Sequence, residues 1–220
     1  MVRSTFARVA RATRVSLRVL LIGLAAAGAL GGMLALVGCG QQPPSFTNLD
    51  ITGNTQFGKD FALPDTSGKT RTLADFNGKV VVLFFGYTHC PDVCPTTMAE
   101  LSQALQQLGP DAAKRVQVLF VSVDPERDTA QVLSQYVAAF NPTFVALRPA
   151  NEEQLKQVTK DFRVYYAKVP GNTPDSYTMD HTAASYVFDT TGKLRLFARD
   201  GQGVTPWLHD LKILLGANPG

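Results

Sequence analysis

The stretch FFGYTHCPDVCP, residues 84–95, decides the fold. It closes an apolar run at residues 79–86, which predicts a central strand buried on both faces. A loop with Cys90 follows, and the periodic apolar residues of 93–108 predict a helix that ends at Gly109. We expect Cys94 at the start of this helix, where unpaired backbone N–H groups and the helix dipole favour a thiolate. A thiolate is the form of cysteine that binds metal ions and attacks disulfides.

The two cysteines have the spacing Cys-x-x-x-Cys. On a helix this spacing places two Cα atoms about 6 Å apart on one face, because each residue rises about 1.5 Å. A disulfide and a shared metal ion both fit that separation. The spacing alone therefore leaves redox chemistry and metal binding open. A purely structural disulfide is a third alternative, but so short a loop would gain little from it.

The remaining hydrophobic patterns alternate between strands and helices. Two short extended pieces are expected within residues 61–72, on either side of a turn at 65–68. Strands are predicted at 116–123, 164–169, 184–189 and 193–198, helices at 129–140, 152–162 and 206–215, and a loop at 170–180. This order predicts an α/β sandwich with a mixed central sheet flanked by helices. The cysteines between the first central strand and its helix are typical of a thioredoxin-like fold.

Residues 1–38 predict a signal peptide or a membrane anchor. They contain five arginines and no acidic residue, and Val19 to Val37 form an uncharged run of 19 residues. A basic flank before such a run marks export, and the run is long enough to span a bilayer. Leu36-Val37-Gly38-Cys39 also resembles the lipobox of bacterial lipoproteins, in which the cysteine carries the lipid. Three alternatives follow: a lipid on Cys39, an uncleaved transmembrane anchor, or a cleaved signal that leaves Cys39 unmodified.

All three alternatives place the folded part outside the cytoplasm, on the periplasmic side of a bacterial membrane. Residues 39–54 then form the lipid-attachment cysteine and a polar tether, and residues 55–220 form the folded domain. The formal net charge of +3 comes from the arginines of residues 1–38, and the rest of the chain carries a net charge of −2. A nucleic-acid partner is therefore not expected, because a binder of that kind keeps a basic face on its folded part.

Three stretches of the sequence resemble one protein family. They are GYTHCPDVCP at residues 86–95, VDPERDT at 123–129 and DHT at 180–182. Each resembles the corresponding segment of Sco/SenC proteins, and the resemblance extends over residues 55–215. It implies that copper, as Cu(I) or Cu(II), is bound by Cys90, Cys94 and His181. It also implies delivery of the copper to the copper A centre of cytochrome c oxidase, whose copper-bearing subunit would be the partner.

The residue types agree with this implication. Residues 179–184 read MDHTAA, and His181 stands where thioredoxin-like oxidoreductases carry a cis-proline that faces the active cysteines. Two thiolates and one imidazole form a soft ligand set, and three such ligands suit Cu(I) better than zinc, which takes four in structural sites. His89 could add a fourth ligand or stabilise the Cys90 thiolate by its charge, whereas His209 is expected to be solvated.

Two further functions compete with copper delivery, which is not an enzymatic activity. A thiol–disulfide reductase would use Cys90 and Cys94 as a redox disulfide and would act on client cysteines. Because a disulfide offers no thiolate to a metal, copper delivery itself would require a periplasmic thiol reductant. A peroxidase of the peroxiredoxin type is disfavoured, because the segment before Cys90 lacks the proline that such enzymes usually carry.

Overall fold

The computed structural model describes residues 45–173 and 176–216. Within these ranges the strands are β1 Leu49–Asp50, β2 Ala62–Pro64, β3 Thr70–Thr72, β4 Val80–Gly86, β5 Val116–Ser122, β6 Val145–Leu147, β7 Tyr166–Pro170, β8 Tyr177–His181, β9 Ala184–Phe188 and β10 Leu194–Arg199. The helices are α1 Val93–Leu108, α2 Pro110–Ala113, α3 Ala130–Phe140, α4 Glu152–Phe162 and α5 Val204–Leu214, with a short 3-10 helix at Leu73–Phe76.

A six-stranded sheet forms the centre of the described domain, in the order β1-β10-β9-β4-β5-β6. The strands β4, β5 and β6 are parallel, while β9 pairs antiparallel with both β4 and β10. All seven residues of β4 and all seven of β5 are buried, as the continuous apolar run of β4 and the largely apolar composition of β5 predict. The predicted mixed central sheet is therefore confirmed.

Helices cover both faces of this sheet. Successive side chains of a strand point to opposite faces of the sheet, so the side chains of Phe84 and Phe85 lie on opposite sides of β4. The ring of Phe84 packs against Phe120, which in turn packs against Tyr136 of α3. The ring of Phe85 packs instead against Phe162 of α4, 5.5 Å between centroids. The predicted α/β sandwich follows from these contacts, and Gly86 at the end of β4 shares the face of Phe84.

Within the expected folded domain, residues 55–220, the main differences from the sequence-based expectation are two missed strands. Residues 177–181, expected within a loop, form β8 and pair antiparallel with β7. The pattern was hidden because Tyr177, Met179 and His181 alternate with polar residues in a segment rich in turn formers. The short strand β6 was also missed, because its three residues follow the Asn141-Pro142 helix stop too closely to form a recognisable run.

The last part of the expected tether lies on the folded domain. Leu49 and Asp50 form β1, which pairs with the edge strand β10. The buried carboxylate of Asp210 on α5 accepts hydrogen bonds from the backbone N–H groups of Thr47 and Asn48, at 2.8 and 2.9 Å. The predictions for Val19–Val37 and Cys39 lie outside the described residues. Among the described residues no helix is long and apolar enough to cross a membrane.

Candidate metal centre

Three separate elements carry the residues of the predicted site. Cys90 lies in the loop after β4, Cys94 in the first turn of α1, and His181 at the end of β8. Cys94 is fully buried, whereas Cys90 and His181 are partly exposed. Gly86 makes room for this arrangement, because a Cβ atom there would lie 3.1 Å from the sulfur of Cys94. The two cysteines are not joined by a disulfide.

Cys90 is the thiolate of the pair. A hydrogen bond from the Cys94 thiol lowers the pKa of Cys90 to about 5, and further hydrogen bonds come from the backbone N–H groups of Asp92 and Cys94. These donors belong to the start of α1, whose N-cap residue Asp92 makes no side-chain cap of its own. The Cys90 sulfur therefore occupies the position where a helix N-terminus accepts negative charge.

Cys94 behaves in the opposite way, so the expectation that the helix start makes Cys94 the thiolate is wrong. Its hydrogen bond to Cys90 and its burial both raise the pKa of the Cys94 thiol. The physical reason is direction: the helix start donates N–H groups to the sulfur in the preceding loop, while the Cys94 side chain points into the core near Gly86. One thiolate and one thiol thus lie side by side.

His181 presents a nitrogen to Cys94. Its Nε2 atom lies 3.7 Å from the Cys94 sulfur, and its Nδ1 atom lies 3.0 Å from the carbonyl oxygen of Thr182. A carbonyl only accepts, so Nδ1 carries the hydrogen and the lone pair of Nε2 faces the cysteine. A histidine fixed in this way by a backbone carbonyl is the usual arrangement of a metal ligand. The ring of Tyr87 packs edge-on against the imidazole, 6.0 Å between centroids.

The separation of these two atoms suits a shared metal ion. A sulfur at about 2.3 Å and a nitrogen at about 2.0 Å from one ion lie about 3.5–3.7 Å apart at angles near 110–120°. The distance of 3.7 Å between Cys94 and His181 agrees with that value. Among the described residues, no group of three or more His, Cys, Asp or Glu side chains lies in an arrangement that could hold a metal ion. The structure therefore brings Cys94 and His181 together and leaves the partly exposed Cys90 beside them.

The other two histidines are engaged elsewhere. His89 is exposed, and its Nδ1 atom lies 3.1 Å from the hydroxyl of Thr88. His209 lies on α5, where its Nδ1 atom contacts Asp210 at 2.9 Å and Thr47 at 3.2 Å. Neither makes a described contact with the cysteines. The geometry thus favours His181 as the nitrogen ligand.

The segment 124–128 holds residues whose part in the site the sequence did not reveal. Asp128 is fully buried, and burial raises the pKa of its carboxyl group. It accepts hydrogen bonds from the hydroxyls of Ser122 and Thr88, both at 2.6 Å, and so fixes the loop that carries Cys90. In the sequence, Asp128 belongs to a cluster of charged residues directly after a buried strand. Such a cluster is equally typical of a solvent-exposed turn, so it did not indicate this role.

Comparison with known proteins agrees with this geometry. A family model described as SCO1/SenC matches residues 50–216. "Protein SCO2 homolog, mitochondrial" from Bos taurus is 37% identical over 177 residues, which cover 80% of this chain and 66% of the relative. The chain thus spans about two thirds of the length of that relative.

Two solved structures share the fold. A structure of ScoI from Bradyrhizobium japonicum with copper bound is 40% identical, with a TM-score of 0.61 over 71% of this chain and 98% of the other. The solution structure of apo Sco1 from Thermus thermophilus is also 40% identical, with a TM-score of 0.68 over 77% of this chain and 97% of the other. The predicted thioredoxin-like sandwich is therefore confirmed. With the family model matched across nearly the whole described domain, the chain belongs to the SCO1/SenC family.

Proposed function

We propose that this protein is a copper metallochaperone, which binds copper through Cys90, Cys94 and His181 and delivers it to the copper A centre of cytochrome c oxidase. The observation that carries the proposal is the 3.7 Å contact between the Cys94 sulfur and His181 Nε2, beside the Cys90 thiolate. Family membership and the copper-bound relative support it.

The donor set favours copper in its reduced form. Two sulfurs and one imidazole are soft ligands, which select Cu(I) over the harder divalent ions. Cys90 is already a thiolate, while Cys94 must release a proton when the metal binds. Cys90 is partly exposed and completes the set from the open side of the site. Burial of Cys94 and the bonded Nδ1 of His181 keep the other two ligands in place.

A second function, thiol–disulfide exchange, is favoured by the unequal thiols. The Cys90 thiolate would attack a client disulfide and form a mixed disulfide, which releases one client thiolate. Cys94 would then lose its proton and attack the Cys90 sulfur, which releases the second client thiol and leaves a Cys90–Cys94 disulfide. The client gains two electrons, and a periplasmic thiol reductant must return them to this protein. Reduction of a client's metal-binding cysteines would prepare that client for copper.

The cellular location forms part of the proposal. We place the domain on the periplasmic side of a bacterial membrane, held by a lipid on Cys39 or by the apolar run Val19–Val37. Intact mass spectrometry of the protein from membranes distinguishes the two anchors. A lipid-modified chain that begins at Cys39 supports the lipoprotein, whereas an unmodified mass of the full 220 residues supports the transmembrane anchor. An unmodified chain that begins after Cys39 contradicts both.

Copper titration of two histidine variants tests the ligand set. His181→Ala should weaken Cu(I) binding by at least tenfold, because it removes one of three ligands, and it should leave the fold intact because His181 is partly exposed. His209→Ala is the matched control, since His209 lies on α5 and contacts Thr47 and Asp210. Equal Cu(I) affinity of His181→Ala and the wild-type protein would remove His181 from the site.

The redox state of the cysteines gives an independent test. A Cys90–Cys94 disulfide offers no thiolate, so the oxidised protein should bind almost no Cu(I) at this site. The reduced protein should bind one equivalent. Tight, stoichiometric Cu(I) binding by protein without free thiols would contradict the proposal. Reduction of a client disulfide by a protein that binds no copper in either state would favour the second function instead.

A further inference from the structure

The hairpin β7–β8, which carries His181, packs weakly against the rest of the domain. Residues 168–170 of β7 are exposed, and on β8 Thr178 and Asp180 are exposed as well. Met179 is the one fully buried side chain among the described residues of the two strands, with 5% of its surface exposed. Segments with so little buried apolar surface open easily. The position of His181 therefore depends on other contacts of the hairpin.

One face of β8 makes these contacts. Side chains two residues apart on a strand point the same way, so Tyr177, Met179 and His181 share the face toward the domain. His181 reaches Cys94 at one end of this face, and Met179 is buried in the middle. Tyr177 at the other end contacts Arg127, which lies outside the hairpin. Tyr177 is thus a further point at which the strand is held, in addition to the packing of Tyr87 against His181.

Arg127 holds Tyr177 in two ways. Its Nη1 atom donates a hydrogen bond of 2.8 Å to the Tyr177 carbonyl, and its guanidinium lies over the tyrosine ring, 3.5 Å from the centroid. The third partner is Asp124, which pairs with Arg127 Nε at 2.5 Å and accepts a hydrogen bond of 2.9 Å from the Tyr177 hydroxyl. Arg127, Tyr177 and Asp124 thus contact one another in a closed triangle. Glu126 adds an ion pair with Lys168 of β7.

The same short segment also holds the loop with the cysteines. Asp128, next to Arg127, accepts hydrogen bonds from the hydroxyl and the backbone N–H of Thr88, two residues before Cys90. The segment is itself fixed from behind by Arg148, which donates to the carbonyl oxygens of Pro125 and Asp128 at 2.7 and 2.9 Å. Residues 124–128 therefore join the loop that carries Cys90 to the hairpin that carries His181.

We propose that residues 124–128 form a bracket that sets the distance between His181 and the two cysteines, with Arg127 as the positioning residue on the histidine side. The inference rests on the proposed copper site, and it adds that retention of copper depends on a residue that does not touch the metal. Partners that orient a ligand typically change metal affinity by about 10- to 100-fold when they are removed. A guanidinium is needed because one group must donate to a carbonyl, pair with a carboxylate and stack on a ring.

Cu(I) affinity of the full chain, measured against a chromogenic chelator, tests the bracket. Arg127→Gln should bind Cu(I) about 10- to 100-fold more weakly than the wild-type protein. The matched control is Arg71→Gln, which removes a similar pair between Arg71 Nε and Asp65, 2.8 Å apart, from a part of the domain that carries no ligand. Its affinity should match that of the wild-type protein. If Arg127→Gln fails to fold, Tyr177→Ala can be used instead. It removes the ring that packs against Arg127 and should give the same loss of Cu(I) affinity.

A double-mutant cycle separates positioning from a general loss of structure. If Arg127 acts through His181, Arg127→Gln should cause no further loss of Cu(I) affinity in a His181→Ala background. An equal loss in both backgrounds would overturn the inference, as would wild-type affinity in Arg127→Gln.

Hydrogen exchange of the metal-free protein provides a readout that does not involve copper. Residues 177–181 should exchange faster in Arg127→Gln, while β4 and β5 remain protected. A wild-type protein that binds no Cu(I) would refute the proposed function, and unchanged exchange in the hairpin would refute the bracket.

Discussion

Substitution of Gly86 by alanine should disturb both the core and the copper site. A Cβ atom there would lie 2.6 Å from Phe84 Cε1, 3.1 Å from Phe120 Cε2 and 3.1 Å from the Cys94 sulfur. Ordinary carbon contacts are about 3.5–4.0 Å, so Phe120 and Cys94 must move by a few tenths of an ångström and Phe84 by about 1 Å. Phe84, Phe120 and Cys94 are all fully buried, so none of them can move out into solvent. Overpacking of this kind costs about 2–3 kcal/mol of unfolding free energy.

The expected result is a melting temperature about 4–12 °C below that of the wild-type protein, since 1 kcal/mol corresponds to about 2–4 °C in a chain of this size. Displacement of the Cys94 sulfur should also weaken Cu(I) binding by about tenfold or more. Circular dichroism melts and chelator competition measure the two effects. Gly78→Ala is the control: a Cβ atom there meets nothing within 4 Å, but the φ of +85° costs about 1–2 kcal/mol. It should lose stability and keep its copper affinity. Wild-type melting and affinity in Gly86→Ala would refute the reasoning.

Three further predictions concern buried carboxylates. Burial raises the pKa of Asp200 to about 7, so the free energy of unfolding should fall as the pH rises from about 4 to 7, and Asp200→Asn should abolish that fall in urea titrations. The pKa of Asp65 is shifted in the opposite direction. Burial raises the pKa of this carboxyl group, but hydrogen bonds from Ser67 and Arg71 outweigh burial and lower it to about 2. Asp65→Asn should therefore cost about 2 kcal/mol at neutral pH, and this cost should decrease as the pH falls toward 2 and disappear below it, again by urea titration. Asp210→Ala should accelerate hydrogen exchange of Thr47 and its neighbours, because it removes their acceptor, and unchanged exchange there would contradict the proposed anchoring.

The strand and helix around the cysteines could be predicted because their signals are local. A continuous apolar run, a periodic helix and a glycine stop lie within about thirty residues, and the helix Val93–Leu108 has the predicted bounds. The strand β1 carries no such signal. Two residues in a polar segment become a strand only because the edge of β10 offers them partners. The tether predicted from composition, residues 39–54, therefore included residues that lie on the folded domain.

The chemistry of the site depends on contacts that no local pattern contains. His181 lies 87 residues from Cys94 in sequence, and the family resemblance rather than its spacing linked the two. The sequence could indicate that a helix start stabilises a thiolate, but not which sulfur its N–H groups reach. That choice depends on the path of the loop before α1, which Asp128 fixes from the segment between β5 and α3. The part played by Arg127 was hidden for the same reason.

Burial of Cys94 restricts the side from which an acceptor can approach the proposed copper site. The Cys94 sulfur has no exposed surface, whereas Cys90 and His181 are open to solvent. In the proposed copper site, an incoming thiol from an acceptor would therefore reach the ion only from the side of Cys90 and His181. We expect ligand exchange to begin at one of these two residues and the bond to Cys94 to be the last to break. The inner sulfur would then hold the ion until the acceptor has bound it.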